Sequence, residues 1–457
     1  MTDHPHIGAR FLSQNVPFLM SIASVSRHIL HCPLRRARSL RNISSRMPLF
    51  KNIKHKVPPI PQWSVIGLGA SIPISVAVDN ILVLTLLIAT VLSRHFYSTL
   101  FQLRRFPGIL LALALFLFLA TGMLWSPSPW QANLDQIGKY LDLALIPIFA
   151  YQFRDCRTRE LALKTFCTAM LITLTLSFAL YLGLSNFGKS AGDPAGSAAV
   201  FKFRITHGFL MAFAAYLFGL LAWQTRRIKT RWFWATTAIL AAINVLIMNL
   251  GVTGYVVLLA LCILLAVQLL PRKFWLATLA LGLLSIVALA NAPGLLGSRI
   301  QQVAGEVSRW QPGTSANGSS AGERLEFYSN TMLMIMRKPL QGYGTGGFAP
   351  AYEAVVDGRG MKPTRNPHNE YLLVTAQVGC AGLLLMLALF VAQWRSAPPD
   401  RDVFRQRLTQ GLVISMALGC LFNSFLLDHA EGLFYAWMTG LLYGAALDTR
   451  AHLPDRA

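Results

Sequence analysis

From about residue 63 onward, long apolar runs alternate with short polar breaks. Ile109–Trp125 and Phe274–Asn291 contain no Asp, Glu, Lys or Arg. Each approaches the ~20 residues that carry a helix across ~30 Å of hydrocarbon. Reading the chain this way predicts about twelve spans, at roughly 63–78, 80–93, 107–125, 139–153, 165–184, 205–223, 232–250, 252–270, 274–291, 371–394, 409–427 and 430–447. The first two are short and interrupted by glycine and proline.

The pattern changes between about 292 and 370, a connection far longer than the others and of the kind that is usually functional. Leu296–Trp310 has apolar residues at helical spacing, with Arg299 and Arg309 among them. Gly313–Gly322, rich in Gly, Ser and Asn, reads as a mobile hinge. Ala321–Arg337 reads as a second helix with Leu325, Tyr328, Met332 and Ile335 on one face. Pro339 ends it, and Gly342, Gly344, Gly346 and Gly347 make a turn before a short helix at Phe348–Val356. Four segments follow: a basic tail at 1–57, a bundle of about nine spans at 58–291, the large loop at 292–370, and a bundle of about three spans with a short tail at 371–457.

Composition fixes the class. The chain is 54% hydrophobic and 13% charged, against about 25% charged for a soluble domain. A soluble enzyme, a disordered chain and a disulfide-stapled secreted domain are excluded, and an all-α polytopic membrane protein is expected. The net charge of +22 is carried by segments 1–57, 94–106, 154–164, 224–231, 271–273, 395–408 and 448–457, which alternate threading puts on one side. That is the positive-inside pattern, so both termini are expected in the cytoplasm and the 292–370 loop outside it. The basic balance orients the chain in a membrane and argues against a nucleic-acid partner. Residues 1–57 carry ten Lys/Arg against Asp3 alone, a tail suited to anionic headgroups. The six cysteines form no CxxC pair and avoid the outer loops, so neither disulfides nor zinc are expected.

The outward-facing polar residues are few. Asn366-Pro367-His368-Asn369-Glu370 is the most concentrated run in the loop. His368 suits a general base near neutral pH, or a satisfied cap at a helix start. Arg324 lies between Glu323 and Glu326; it reads as a surface ion-pair network or as a planar fork gripping a diphosphate. Lys202, Arg204 and His207 lie at the outer mouth of the sixth span. Lysines there are commonly snorkelling anchors, but outer-side cations run against the charge bias of the chain. Asp428, His429 and Glu431 form a short outer turn that could partner the loop. The GYGTGGF glycines do not follow a strand or form GxxxxGK[ST], which argues against a nucleotide site.

These motifs carry a resemblance. ERLEFYSNTMLMIMRKPLQGYGTGGFAPAY, followed by NPHNEYLLVTAQVG, resembles the signature of the O-antigen ligase family, whose relatives include O-antigen polymerases and protein O-oligosaccharyltransferases. The likeness extends through FKFRITHGFLMAFAAYL and NSFLLDHAEG, over roughly 195–445. It implies a GT-C-like glycosyltransferase of the bacterial inner membrane, active on the periplasmic side, moving a glycan from undecaprenyl diphosphate to lipid A–core. His368 and Arg324 then match the catalytic His and Arg of the loop, and Arg204, Lys202, His207, Asn369 and Glu323 are candidate diphosphate or glycan contacts. The family commonly has Arg in a GRTG-like motif; Gly251-Val252-Thr253-Gly254 stands here, with Val252 at that position. No metal or cofactor is expected, since the outer face lacks a carboxylate set resembling a Mg²⁺ cage. A polymerase, a protein-glycosylating enzyme and, in another class, a transporter or flippase are the competing readings.

Overall fold

The computed structural model describes residues 59–93, 96, 102–190, 197–249, 251–291, 295–312, 319–396 and 402–450. The expected basic tail and most of the expected hinge lie outside them. The regular elements among the described residues are helices, with one isolated bridge, Lys189 to Val200.

The chain begins with a hairpin of α1 (Ile60–Ser71) and α2 (Val76–Val91), joined at Ser75, which caps α2. Proline in its first turn starts α3 (Pro107–Gly122), where a missing N–H costs nothing. Next come α4 (Trp130–Gly138), α5 (Leu141–Gln152, with Pro147 inside) and α6 (Cys156–Tyr181), which Asp155 caps by accepting from the Thr158 N–H at 2.8 Å. Then follow α7 (Arg204–Gln224), α8 (Ile228–Ile243), α9 (Val252–Leu269) and α10 (Trp275–Ala290). The 292–370 segment contains α11 (Leu295–Arg309), α12 (Ser320–Arg337) and α13 (Phe348–Val356), close to the helices expected from its periodicity. The chain closes with α14 (Glu370–Ser396), α15 (Val403–Phe422) and α16 (His429–Arg450).

Among the described residues, six helices are long and apolar enough to cross a membrane: Pro107–Trp125, Cys156–Tyr181, Arg204–Gln224, Ile228–Met248, Val252–Leu269 and Glu370–Ser396. The chain is an integral membrane protein. The expected count of twelve is not reached by this measure. One reason is length: α1 and α5 have 12 residues each, about 18 Å at ~1.5 Å per residue, which falls short of the hydrocarbon core. Cys167, Cys262, Cys380 and Cys420 are free thiols.

α7 is the central post, with 83% of its apolar window buried. It packs against α8, α9 and α15. Phe209 meets Phe425 at 4.7 Å between ring centroids, and Phe213 meets Phe434 at 5.0 Å. A π turn at Asn244–Met248 ends α8. It brings the fully buried Asn244 to Ser177 (2.6 Å) and His207 (3.1 Å), which satisfies an amide that would otherwise be costly inside the bundle.

α14 is broken at Val378 and Gly379, where φ and ψ of Gly379 are 73° and −173°. The break frees backbone groups, and the glycine turn after α12 satisfies them. Tyr343 and Gly344 donate N–H groups to the carbonyls of Ala376 and Gln377, each at 2.8 Å, and Cys380 donates to Pro339 at 2.8 Å. Thr345 binds the end of α3 through Leu119 (2.6 Å) and Gly122 (3.1 Å). A side chain on Gly342 would lie 2.6 Å from the Gln377 carbonyl. The glycines therefore dock a loop into a split helix.

Candidate functional site

The NPHNE run leads into α14 and lies on the turn between α15 and α16. Asn366 Oδ1 accepts from the His368 N–H (2.8 Å) and the Ser424 hydroxyl (2.7 Å). Asn369 caps α14 by accepting from the Leu372 N–H (3.0 Å) and donates to the Leu421 carbonyl (3.1 Å). Glu370, fully buried, accepts from the Tyr140 hydroxyl (2.8 Å) and from the N–H groups of Leu426 (3.0 Å) and Leu427 (3.3 Å). Much of the motif's polarity is thus spent in fastening two turns together.

His368 is the exception. Its φ is +55°, a left-handed conformation uncommon outside glycine that costs on the order of 1–3 kcal/mol. The ring is half-buried, with its centroid 6.2 Å from that of Phe327. Nδ1 lies 3.0 Å from Asn423 Oδ1, and Asn423 Nδ2 donates to Asp428 Oδ2 at 3.1 Å. Burial holds the imidazole below its usual pKa. Arg324 and Lys362 add to that effect, and the Asn423 bond and Glu323 oppose it. Burial beside Glu431 and Glu370 pushes Asp428 up to about 8.

Arg324 and Glu323 are in the first turn of α12, which Ser319 caps by accepting from the Gly322 N–H at 3.2 Å. Arg324 is half-buried and close enough for its charge to add to the burial that lowers the His368 pKa and to oppose the burial that raises the Tyr328 pKa. Tyr328, one turn further on, points its hydroxyl at the carbonyls of His368 and Leu421, each at 3.1 Å. Glu323 pairs with Lys362 at 3.4 Å. The Arg and His proposed from sequence therefore lie near one another, although 44 positions separate them in the chain.

Arg204 opens α7 on the same end of the bundle, half-buried, its guanidinium 5.3 Å from the Phe203 ring centre. Its carbonyl accepts from Asn249 at 2.9 Å, beside Gly251 and the start of α9 at Val252. Lys202 and His207 turn inward. Lys202 is 8% exposed, and its Nζ is 3.8 Å from Asp79. His207 is 3% exposed and held between Asn244 and the Val200 backbone. Among the described residues, no group of three or more His, Cys, Asp or Glu is placed to hold a metal ion.

The starts of α7, α14 and α16 gather here. Glu431, in the first turn of α16, accepts from Thr206 in the first turn of α7, and Glu370 at the start of α14 holds the turn before α16. Helix N-termini carry partial positive charge and favour anions. Residues 237–387 match the family model Wzy_C, described as O-antigen ligase. This stretch is similar to an O-antigen ligase domain. No curated protein matches the chain. The matched stretch contains Arg324 and His368 but ends before Asn423 and Asp428, a narrower span than the resemblance suggested. Domains of this kind are shared by O-antigen ligases and polymerases, membrane enzymes with lipid-linked glycan substrates. Asn423 was not singled out from sequence. Its only signal is the polar Asn-Ser step that interrupts the apolar run before Asp428.

Proposed function

We propose that this protein is an O-antigen ligase-like glycosyltransferase that moves a glycan from undecaprenyl diphosphate to lipid A–core on the periplasmic side of the bacterial inner membrane. The reading rests above all on His368, held in a strained backbone conformation beside Arg324 within a stretch similar to an O-antigen ligase domain. Strain of this kind persists only where surrounding contacts impose it, and it concentrates at functional sites.

The donor is already activated, because diphosphate is a good leaving group. An acceptor hydroxyl attacks the anomeric carbon as the C–O bond to the diphosphate breaks, and the bonding electron pair leaves on the diphosphate oxygen. His368 takes the hydroxyl proton. Its lowered pKa keeps it neutral, and so able to accept, at pH values where an ordinary histidine is already charged. Arg324 and Arg204, with the clustered helix N-termini, receive the departing negative charge. In-line attack inverts the anomeric centre. His207 and Asn369 serve the frame of the site rather than the substrate, since their polar groups are hydrogen-bonded within the protein, and the buried Lys202 pairs with Asp79. Glu323 aims the first turn of α12 through Lys362.

The broken α14 invites a transporter reading, since discontinuous helices often line transport sites. Here the carbonyls freed at the break are filled by Tyr343 and Gly344 of the same chain, which favours a structural break.

The test is transfer by purified protein in lipid, with undecaprenyl-diphosphate glycan and either lipid A–core, a peptide acceptor or neither. Product on lipid A–core alone, abolished by His368→Ala at unchanged abundance, is the expected result. Chain elongation without acceptor would make the protein a polymerase, and no product under any condition would remove the enzyme reading.

A further inference from the structure

We infer that Asn423 and Asp428 are positioning residues that fix the tautomer of His368, so that Nε2 is the nitrogen able to accept a proton. The inference rests on the transferase reading above, but its geometry stands apart from it. Asn423 is 7% exposed and sits where α15 ends, in extended backbone, its N–H donating to the Gly419 carbonyl at 2.9 Å. Gly419 must be glycine for this end to form, because a Cβ there would fall on the Phe425 ring. Phe425 in turn packs on Phe209 of α7, and Glu370 holds the backbone of Leu426 and Leu427. The turn carrying Asn423 and Asp428 is thus fastened from α7 and α14.

Within that turn the amide has one good orientation. Asp428 Oδ2 lies 3.1 Å from Nδ2, and a carboxyl, whether ionised or protonated, keeps an oxygen that accepts, so the NH₂ group points to it. The other end of the amide is then Oδ1, a pure acceptor, 3.0 Å from His368 Nδ1. A ring nitrogen facing a pure acceptor carries the hydrogen. Nδ1 is therefore protonated in the neutral ring, and the lone pair lies on Nε2. Asn423 cannot itself take up a proton, so the acceptor proton enters at Nε2 and must leave by the same atom. The Asn366 bond to the His368 N–H and the Tyr328 hydroxyl on its carbonyl fix the backbone that aims the ring.

Three proteins test this: the full-length wild type, Asn423→Leu and Asn423→Asp. Asn423→Leu removes both hydrogen bonds at similar volume. It should lower kcat by about 10- to 100-fold with little change in donor KM, a typical loss for removing the orienting partner of a working imidazole. Asn423→Asp restores an acceptor at Nδ1. It should recover most of the rate and move the acid limb of the pH–rate profile upward, because a carboxylate stabilises the imidazolium. An unchanged kcat in Asn423→Leu would overturn the inference. So would an Asn423→Asp variant that is as inactive as Asn423→Leu while equally folded, since packing alone would then explain the position. If the wild type transfers nothing, the transferase reading fails by itself. Nitrogen-15 spectra of labelled histidine, with His368→Ala for assignment, then decide the positioning claim: Nδ1–H in the wild type, lost in Asn423→Leu, supports it, and Nε2–H in the wild type overturns it.

Discussion

At the scale of single residues, the proposed mechanism divides the work of meeting a diphosphate between two cations, and each would leave a separate mark. Arg324 lowers the pKa of His368 through its charge, so Arg324→Ala should have two effects. Losing a charged hydrogen-bond donor costs about 1.5–3 kcal/mol, or roughly one to two decades of rate. With the neighbouring positive charge gone, the imidazolium becomes easier to form, and the acid limb of the pH–rate profile should move to higher pH. A kcat/KM profile of the variant checks both, and a limb that stays put would separate Arg324 from His368. Arg204 leaves a different mark. Its backbone lies against Gly251, next to Val252, where a GRTG-like motif would supply Arg. If Arg204 provides the charge that Val252 lacks, Arg204→Ala should reduce transfer and Val252→Arg should restore part of it. A double variant no better than Arg204→Ala would show that the two helix starts do not substitute for one another.

At the scale of elements, the break in α14 is the most demanding feature. Gly379 has φ +73°, and a Cβ there would fall on the Leu340 carbonyl oxygen. Gly379→Ala therefore combines a disallowed backbone with a collision against main chain, and should cost several kcal/mol, on the order of 3 or more. Gly138→Ala, with nothing within 4 Å of its Cβ, serves as the control and should leave the unfolding temperature in detergent nearly unchanged. Equal melting of the two variants would mean that the glycine loop and α14 do not dock as described. This junction also marks the limit of sequence reading. The helices α11, α12 and α13 were legible because their apolar residues recur at helical spacing with Pro339 and the glycines as punctuation. His368 and Arg324 stood out as candidates because charge is scarce and their motifs are compact, and the structure brings them near one another. The split in α14 was not legible, since EYLLVTAQVGCAGLLLMLALFVAQW reads as one uninterrupted apolar helix and the partner that fills the break lies some 35 positions earlier. Asn423 was illegible for the same reason: its partner His368 is 55 positions away, and periodicity reports which face is buried, not which distant turn it meets.

At the scale of the whole molecule, the buried Lys202 ties three separate parts of the bundle together. Its Nζ lies 3.8 Å from Asp79 on α2, and His429 at the start of α16 is 3.6 Å from the same oxygen, while Ser71 at the end of α1 donates to the other carboxylate oxygen at 2.6 Å. Asp79 is fully buried and Lys202 nearly so. Burial lowers the Lys202 pKa, and Asp79 and Glu431 oppose that shift. Removing one partner strands the other, so Asp79→Asn should destabilise the protein by about 3–5 kcal/mol, whereas Asp79→Asn combined with Lys202→Met should recover much of that loss. The sign of the pH dependence follows from the lysine. In the Asp79→Asn variant the folded state binds the Lys202 proton more weakly than the unfolded chain, whose lysine titrates near 10.5, so stability should rise with pH through the range below that value and the deficit should shrink. Thermal unfolding in detergent from pH 7 to pH 10 measures this directly. A deficit independent of pH, or a double variant as unstable as Asp79→Asn, would mean that the pair carries no charge coupling. The double variant should also retain the proposed transfer, because this ion pair holds the α1–α2 hairpin and α16 to the start of α7, while the proposed mechanism draws the charge that meets the substrate from Arg324 and Arg204.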